Sequence, residues 1–174
     1  MACNIVQGRE IDCRDSVGGI PEITLTEFTN VPIGNVTYSS GVITAATCIA
    51  GKRFFTYQLE KENAQFDTKI VVSVENGTTY CESTLTLSLK KMSAALKNNL
   101  LTLAYNRLHI NLKDANGTIW WMGLQNGADM TEAAGSTGKA LGDMNGESLT
   151  FISKEPLPPH TLSAAIYAAL KIGS

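Results

Sequence analysis

The stretch FDTKIVVSVENGTTYCESTLTLSLKK, Phe66 to Lys91, constrains the fold more than any other. Two runs rich in β-branched residues flank Asn76-Gly77. That dipeptide suits a type I′ hairpin, in which both central residues need positive φ. Beyond the turn, Leu85, Leu87 and Leu89 alternate with Thr84, Thr86 and Ser88. Successive side chains of a strand point to opposite faces, so this spacing predicts one buried face and one face toward water. A hairpin with one apolar face is not stable alone and needs a second layer. The chain therefore reads first as a β protein.

The rest of the pattern agrees. EITLTEF (Glu22 to Phe28) alternates Ile23, Leu25 and Glu27 against Thr24, Thr26 and Phe28. GNVTYSSGVITAATC reads as a strand, a Ser-Ser-Gly turn and a second strand, and Lys52 to Glu62 reads as one long strand. RLHINLKDANGTIWWMGL places Leu108, Ile110 and Leu112 on one face, turns at Asp114–Gly117 and returns through Trp120-Trp121. Glu147 to Glu155 is another strand, stopped by Pro156. One helix is expected from Ser93 to Asn106, with Ser93 as N-cap and Leu96, Leu100, Leu103 and Ala104 as its apolar stripe. Gln125 to Ala140 is rich in small residues and reads as a long loop. The Pro-bounded tail from Thr161 reads as a helix or an arm. The expected architecture is one mainly β domain over residues 1–174 with one packed helix. It is a sandwich or barrel closed by hairpins, with arms at 1–20 and 157–174 and an interaction loop at 125–139.

Composition bounds the function. Charged residues make up 17% of the chain, below the roughly 25% usual for globular proteins. Interface cores are depleted in charge, so the deficit points to surface covered by other subunits. The net charge of -2 offers no basic stripe for gripping phosphates, which argues against tight nucleic-acid binding. Cys3, Cys13, Cys48 and Cys81 form no C-x-x-C pair, so they read as thiols rather than a zinc site. A Cys3–Cys13 disulfide is the nearest alternative in sequence. The start of the chain has no apolar core of a signal peptide, and no apolar run approaches a membrane span. The sequons at Asn35, Asn76 and Asn116 then read as turns.

Catalytic and ligand motifs fail on position. GSTGKALGDMNGESLTF contains Gly138-Lys139, as a phosphate loop would, but Ala133 replaces the first glycine and Ala140 the hydroxyl. Counted as a calcium loop from Asp143, glycine falls at position 4 and Lys154 at position 12. A shallow cation site on Asp143 and Asn145 is the residual option. The plainer reading is a tight turn in which Gly146 supplies positive φ. His109 alternates with apolar neighbours and reads as a solvent-face or interface residue, and His160 sits in a connector. Neither stands beside a nucleophile motif, so no enzyme and no cofactor is expected. Adjacent strand residues face opposite ways, so one of Trp120 and Trp121 is expected in the core and the other exposed. An exposed tryptophan leaves a carbohydrate-binding module as an alternative.

The order of elements resembles a known family. GREIDCRDSVGGI resembles openings of virion proteins of tailed bacteriophages, especially those infecting Bacteroidetes, the crAss-like group included. STGKALGDMNGESLTFISKEP is similar to their C-terminal stretch, and the hairpin and helix suit the tail-tube fold. The resemblance implies a structural protein of the virion tail, made in the bacterial cytoplasm. It implies rings, usually hexameric, that stack into a genome-delivery channel and contact other tail proteins. Genomic DNA would pass without specific binding, and no membrane is involved. Interface candidates on this reading are Asn76, Gly77, Trp120, Trp121, Gln125, Asn126, Lys139, Asp143 and Asn145. A tail terminator, a baseplate ring protein and a capsid decoration protein are alternatives of the same class.

Overall fold

The computed structural model describes Gly8 and residues 14–173. The strands are β1 (Glu22–Glu27), β2 (Val36–Ser39), β3 (Val42–Ala46), β4 (Phe55–Gln58), β5 (Ala64–Ser73), β6 (Thr78–Lys90), β7 (Leu108–Lys113), β8 (Ile119–Met122), β9 (Ala128–Ser136), β10 (Gly146–Glu155) and β11 (His160–Leu162). Two helices join them, α1 (Ala94–Tyr105) and α2 (Ala164–Ile172). The strands form one mixed sheet in the order β2-β3-β11-β8-β7-β9-β10-β6-β5. β1 pairs with β7, and β4 lies outside β1. Among the described residues, only β3 and β11 run parallel. The sheet stays open: β2 and β5 end the path and do not meet. The expected mainly β class is therefore present, whereas closure by hairpins within the chain is not.

Turn chemistry is partly redistributed. The β5–β6 pairing ends at Ser73↔Thr78, so the connection is a four-residue loop, Val74 to Gly77. Only Gly77 takes positive φ there (63°), and the Asn76 N–H donates to Ser73 Oγ at 3.3 Å. Four-residue loops are built mostly around a type I turn, which removes the need for positive φ at Asn76. The two-residue hairpin is instead β2–β3, where Ser40 (φ 51°) and Gly41 (φ 79°) both adopt positive φ. The Lys52–Glu62 run shortens to the four residues of β4.

The β6 alternation works as its spacing requires. Leu85 and Leu87 are buried with Phe151 of β10 against Ile23 of β1, Ile110 of β7 and Met122 of β8. Each such side chain contributes about 1.5–3 kcal/mol relative to exposure. Ser93 caps α1, its Oγ accepting the Leu96 N–H at 3.1 Å. Leu100 and Leu103 are buried on this core and Leu96 packs against it, but Ala104 is exposed and lies off the stripe.

A second core lies around Trp121, with Ile43, Phe54 and Leu162. α2 covers it with Tyr167 and Leu170. Residues 160–172 are thus a strand and a helix packed on their own chain, which corrects the C-terminal arm. The Tyr167 hydroxyl donates to Glu22 Oε1 at 2.7 Å, and Lys171 forms an ion pair with the same carboxylate. Burial pushes the Glu22 carboxyl up, but these bonds and the Lys171 charge outweigh it and hold it below its usual range. Burial and the Glu22 carboxylate push the Tyr167 hydroxyl up.

Two cores make β7 buried on both faces. His109 is therefore interior, 1% exposed, and not a solvent-face residue. Of the N-terminal arm, residues 14–20 are described, and they are tied down. Asn116 accepts the Val17 N–H at 2.9 Å and donates to its carbonyl at 2.8 Å. Cys3 and Cys13, and with them the disulfide alternative, lie outside the described residues.

Candidate assembly surface

The β5–β6 hairpin has two unlike faces. On one, Lys69, Glu82 and Lys154 sit in adjacent register across β5, β6 and β10, with Lys–Glu separations of 3.9 and 3.5 Å. Exposed pairs like these add little stability, but they mark a face suited to water. The other face begins in the core with Ala64 and Phe66 packed against it. The same period of two then carries Ile70 and Val72 out into solvent, 64% and 60% exposed, and Val74 follows in the loop, 92% exposed. Single exposed apolar residues are ordinary, but three at alternate positions mark an interaction surface. β5 also ends the sheet, so its ten residues have a partner on one side only. An open edge with an apolar row is a template for another strand.

Apart from Trp120 and Trp121 on β8, the expected interface residues divide between two ends of the β5–β6–β10–β9 portion. Asn76 and Gly77 form the hairpin tip. Gln125 and Asn126 lie at the same end, in the turn between β8 and β9. Both backbone N–H groups donate to Glu155 Oε1, at 2.8 and 3.2 Å. Asn126 also donates to the Lys154 carbonyl, and Gln125 to the Tyr38 hydroxyl. These two residues therefore hold the chain's own turn. Burial raises the Glu155 carboxyl, opposed by the two backbone bonds. The long loop expected at 125–139 is corrected: Ala128–Ser136 is β9, paired with β10 from Ala128 to Ser136. Its small residues obscured the strand in the sequence.

Lys139, Asp143 and Asn145 lie at the opposite end, beyond Gly146, which pairs with Lys90. The thirteen residues of β6 separate the ends, about 40 Å at roughly 3.3 Å per residue. Asp143 Oδ2 accepts the N–H groups of Lys139 and Ala140 at 2.8 and 2.9 Å, which holds its carboxyl below the usual range. Asn145 Oδ1 accepts the Met92 N–H. Both side chains shape backbone. The positive φ in this connection belongs to Gly138 (70°), not Gly146. Gly146 is required for space, because a Cβ there would meet the Leu89 carbonyl oxygen at 2.4 Å. Leu141 and Met144 are exposed in this connection, so apolar side chains face solvent at both ends.

Trp121 is fully buried and Trp120 half-buried, as opposite strand faces require. Trp121 therefore cannot present its ring to a neighbour or to a sugar. It stacks edge-on against His109 and Phe54 and donates its indole N–H to His109 Nδ1 at 3.3 Å. His109 Nδ1 also lies 2.7 Å from the Gly123 carbonyl and Nε2 lies 3.1 Å from that of Val31. Burial lowers the imidazole, and the carbonyls act against that shift. His160 is buried in β11 against the edge of Tyr38.

A groove of about 990 Å³ runs between β4, α1 and the end of α2. Its lining carries Glu27, Lys52 and Arg53 but neither histidine nor cysteine. Among the described residues, no group of three or more His, Cys, Asp or Glu side chains is placed to hold a metal ion. Among them, no helix is long and apolar enough to cross a membrane. No family model, curated protein or solved structure matches the chain.

Proposed function

We propose that the chain is a structural virion protein that assembles with copies of itself, as a tail-tube ring subunit lining a genome-delivery channel. The observation that carries this reading is the β5 edge, ten residues with Ile70 and Val72 uncovered on one face and exposed Val74 just beyond them in the loop. Lys69 puts charge on the opposite face of β5, but none stands in the row of Ile70 and Val72 to blunt it. A neighbour adding its own edge satisfies the free backbone groups and buries the apolar row. The open sheet has a natural role here: the barrel closes in the ring, not in the single chain. Exposed apolar side chains near opposite ends, Val74 at one and Leu141 and Met144 at the other, suit head-to-tail contact between rings. The partners are then further copies, usually six to a ring, and other tail proteins. The net charge of -2 lets genomic DNA pass without being held.

The test is a charge placed on the edge. In Ile70→Lys/Val72→Lys both side chains already face water, so monomer stability stays within about 0.5 kcal/mol of the parent. Sedimentation velocity should show large assemblies for the parent and small species for the variant. Assemblies of unchanged size in the variant would refute the role of this edge.

A further inference from the structure

Glu147 is an anomaly. It stands in β10 on the core side, 4% exposed, and its Oε1 is buried without a hydrogen-bond partner. A buried carboxylate is costly unless paired and hydrogen-bonded. The fold nevertheless makes room for it. Gly135 lies opposite Glu147 in the β9–β10 register, and a Cβ there would meet Glu147 Oε2 at 2.5 Å. Over the carboxylate, α1 and β9 leave a hollow of about 260 Å³. Leu100, Leu101, Ala104, Met130 and Ala133 form its walls, and Lys97 lines it without bonding to Glu147.

We propose that this hollow is a binding site for a primary alkylammonium ion. The apolar walls take an alkyl stem, and the ammonium donates to the Glu147 carboxylate. A compact ammonium suits one open carboxylate oxygen better than a guanidinium, whose fork engages two. Here Oε1 is occluded, which leaves Oε2 as the oxygen to engage. The inference does not depend on ring assembly. Two sources supply this chemistry: a free aliphatic amine, or a lysine side chain of another copy.

The experiment is a titration with n-butylammonium chloride, followed by NMR of the Met130 and Ala133 methyl groups. Sodium chloride and n-butanol serve as controls. Saturable shifts with butylammonium and none with butanol are expected. Glu147→Gln should weaken binding about tenfold or more, the loss of one charge-assisted bond. Ala104→Leu, at an exposed helix position, narrows the hollow while keeping the carboxylate, and it should weaken binding too. Lys97→Ala removes the one cation of the lining and should bind at least as tightly as the parent. Equal shifts from butanol, or no saturable shift in either the parent or Lys97→Ala, would overturn the proposal. Sedimentation in the same titration separates the sources. Both results uphold the site: smaller assemblies identify a lysine of another copy as the occupant, and unchanged ones a free amine.

Discussion

His109 offers the sharpest perturbation. A neutral imidazole has one donor and one acceptor nitrogen. Around it stand two carbonyls, Gly123 at 2.7 Å and Val31 at 3.1 Å, and the Trp121 indole N–H at 3.3 Å. If Nδ1 carries the proton, it serves Gly123 and leaves Val31 and the indole unserved. If Nε2 carries it, Val31 and the indole are satisfied, but Gly123 faces a lone pair. Replacement by Phe retains ring volume and removes every one of these bonds. Between one and two buried groups lose a partner, at about 1–3 kcal/mol each, so His109→Phe should cost about 1–6 kcal/mol. His109→Gln keeps a donor and an acceptor and should cost less.

Acid dependence follows with a definite sign. Burial lowers the folded-state pKa of His109 below that of the unfolded chain. The unfolded state then binds more protons in that window. Stability is fully present above about pH 6.5 and falls as pH drops toward the folded value. The slope is at most about 1.4 kcal/mol per pH unit for one proton. Urea unfolding followed by tryptophan fluorescence between pH 5 and 8, for parent and His109→Phe at one protein concentration, isolates the contribution by difference. Parallel pH profiles, or a variant within about 0.5 kcal/mol of the parent at pH 7.5, would refute the reasoning.

Two further substitutions test the local arguments. Gly146→Ala drives a Cβ into the Leu89 carbonyl oxygen, 2.4 Å away, where backbone cannot easily yield; it should lower stability by about 1–3 kcal/mol in a thermal melt. Gly142→Ala, with nothing within 4 Å of the added Cβ, is the control and should change little. Glu155→Ala strands the Gln125 and Asn126 N–H groups; it should cost about 2–4 kcal/mol and speed hydrogen exchange at these two amides. Exchange as slow as in the parent would mean that Glu155 does not hold the turn.

The strand most legible in the sequence has one face toward water. β6 announces itself because Leu85 and Leu87 alternate with threonines, and α1 because Ser93 caps a leucine stripe. β7 misleads at His109 because both of its faces are buried, and a polar residue on a doubly covered strand looks like an outward one. β9 was hidden by composition: Ala133, Ala134, Gly135 and Ser136 carry no β signature, and the pairing with Gly146 to Leu149 of β10 defines them instead. α2 had a Pro-bounded, small-residue sequence compatible with a free arm. Only the second core, which no local pattern reveals, shows what Tyr167 and Leu170 cover. For the candidate surface, the hairpin was visible, but not that Ile70 and Val72 leave the core after Phe66. Glu155 and Glu147 gave no signal at all, since their roles depend on what folds over them.

Negative-stain electron microscopy of the purified protein tests the central claim most directly. The account predicts rings or tubes with a central hole, lost in Ile70→Lys/Val72→Lys. Particles that stay dispersed as single subunits at every concentration reached would contradict it.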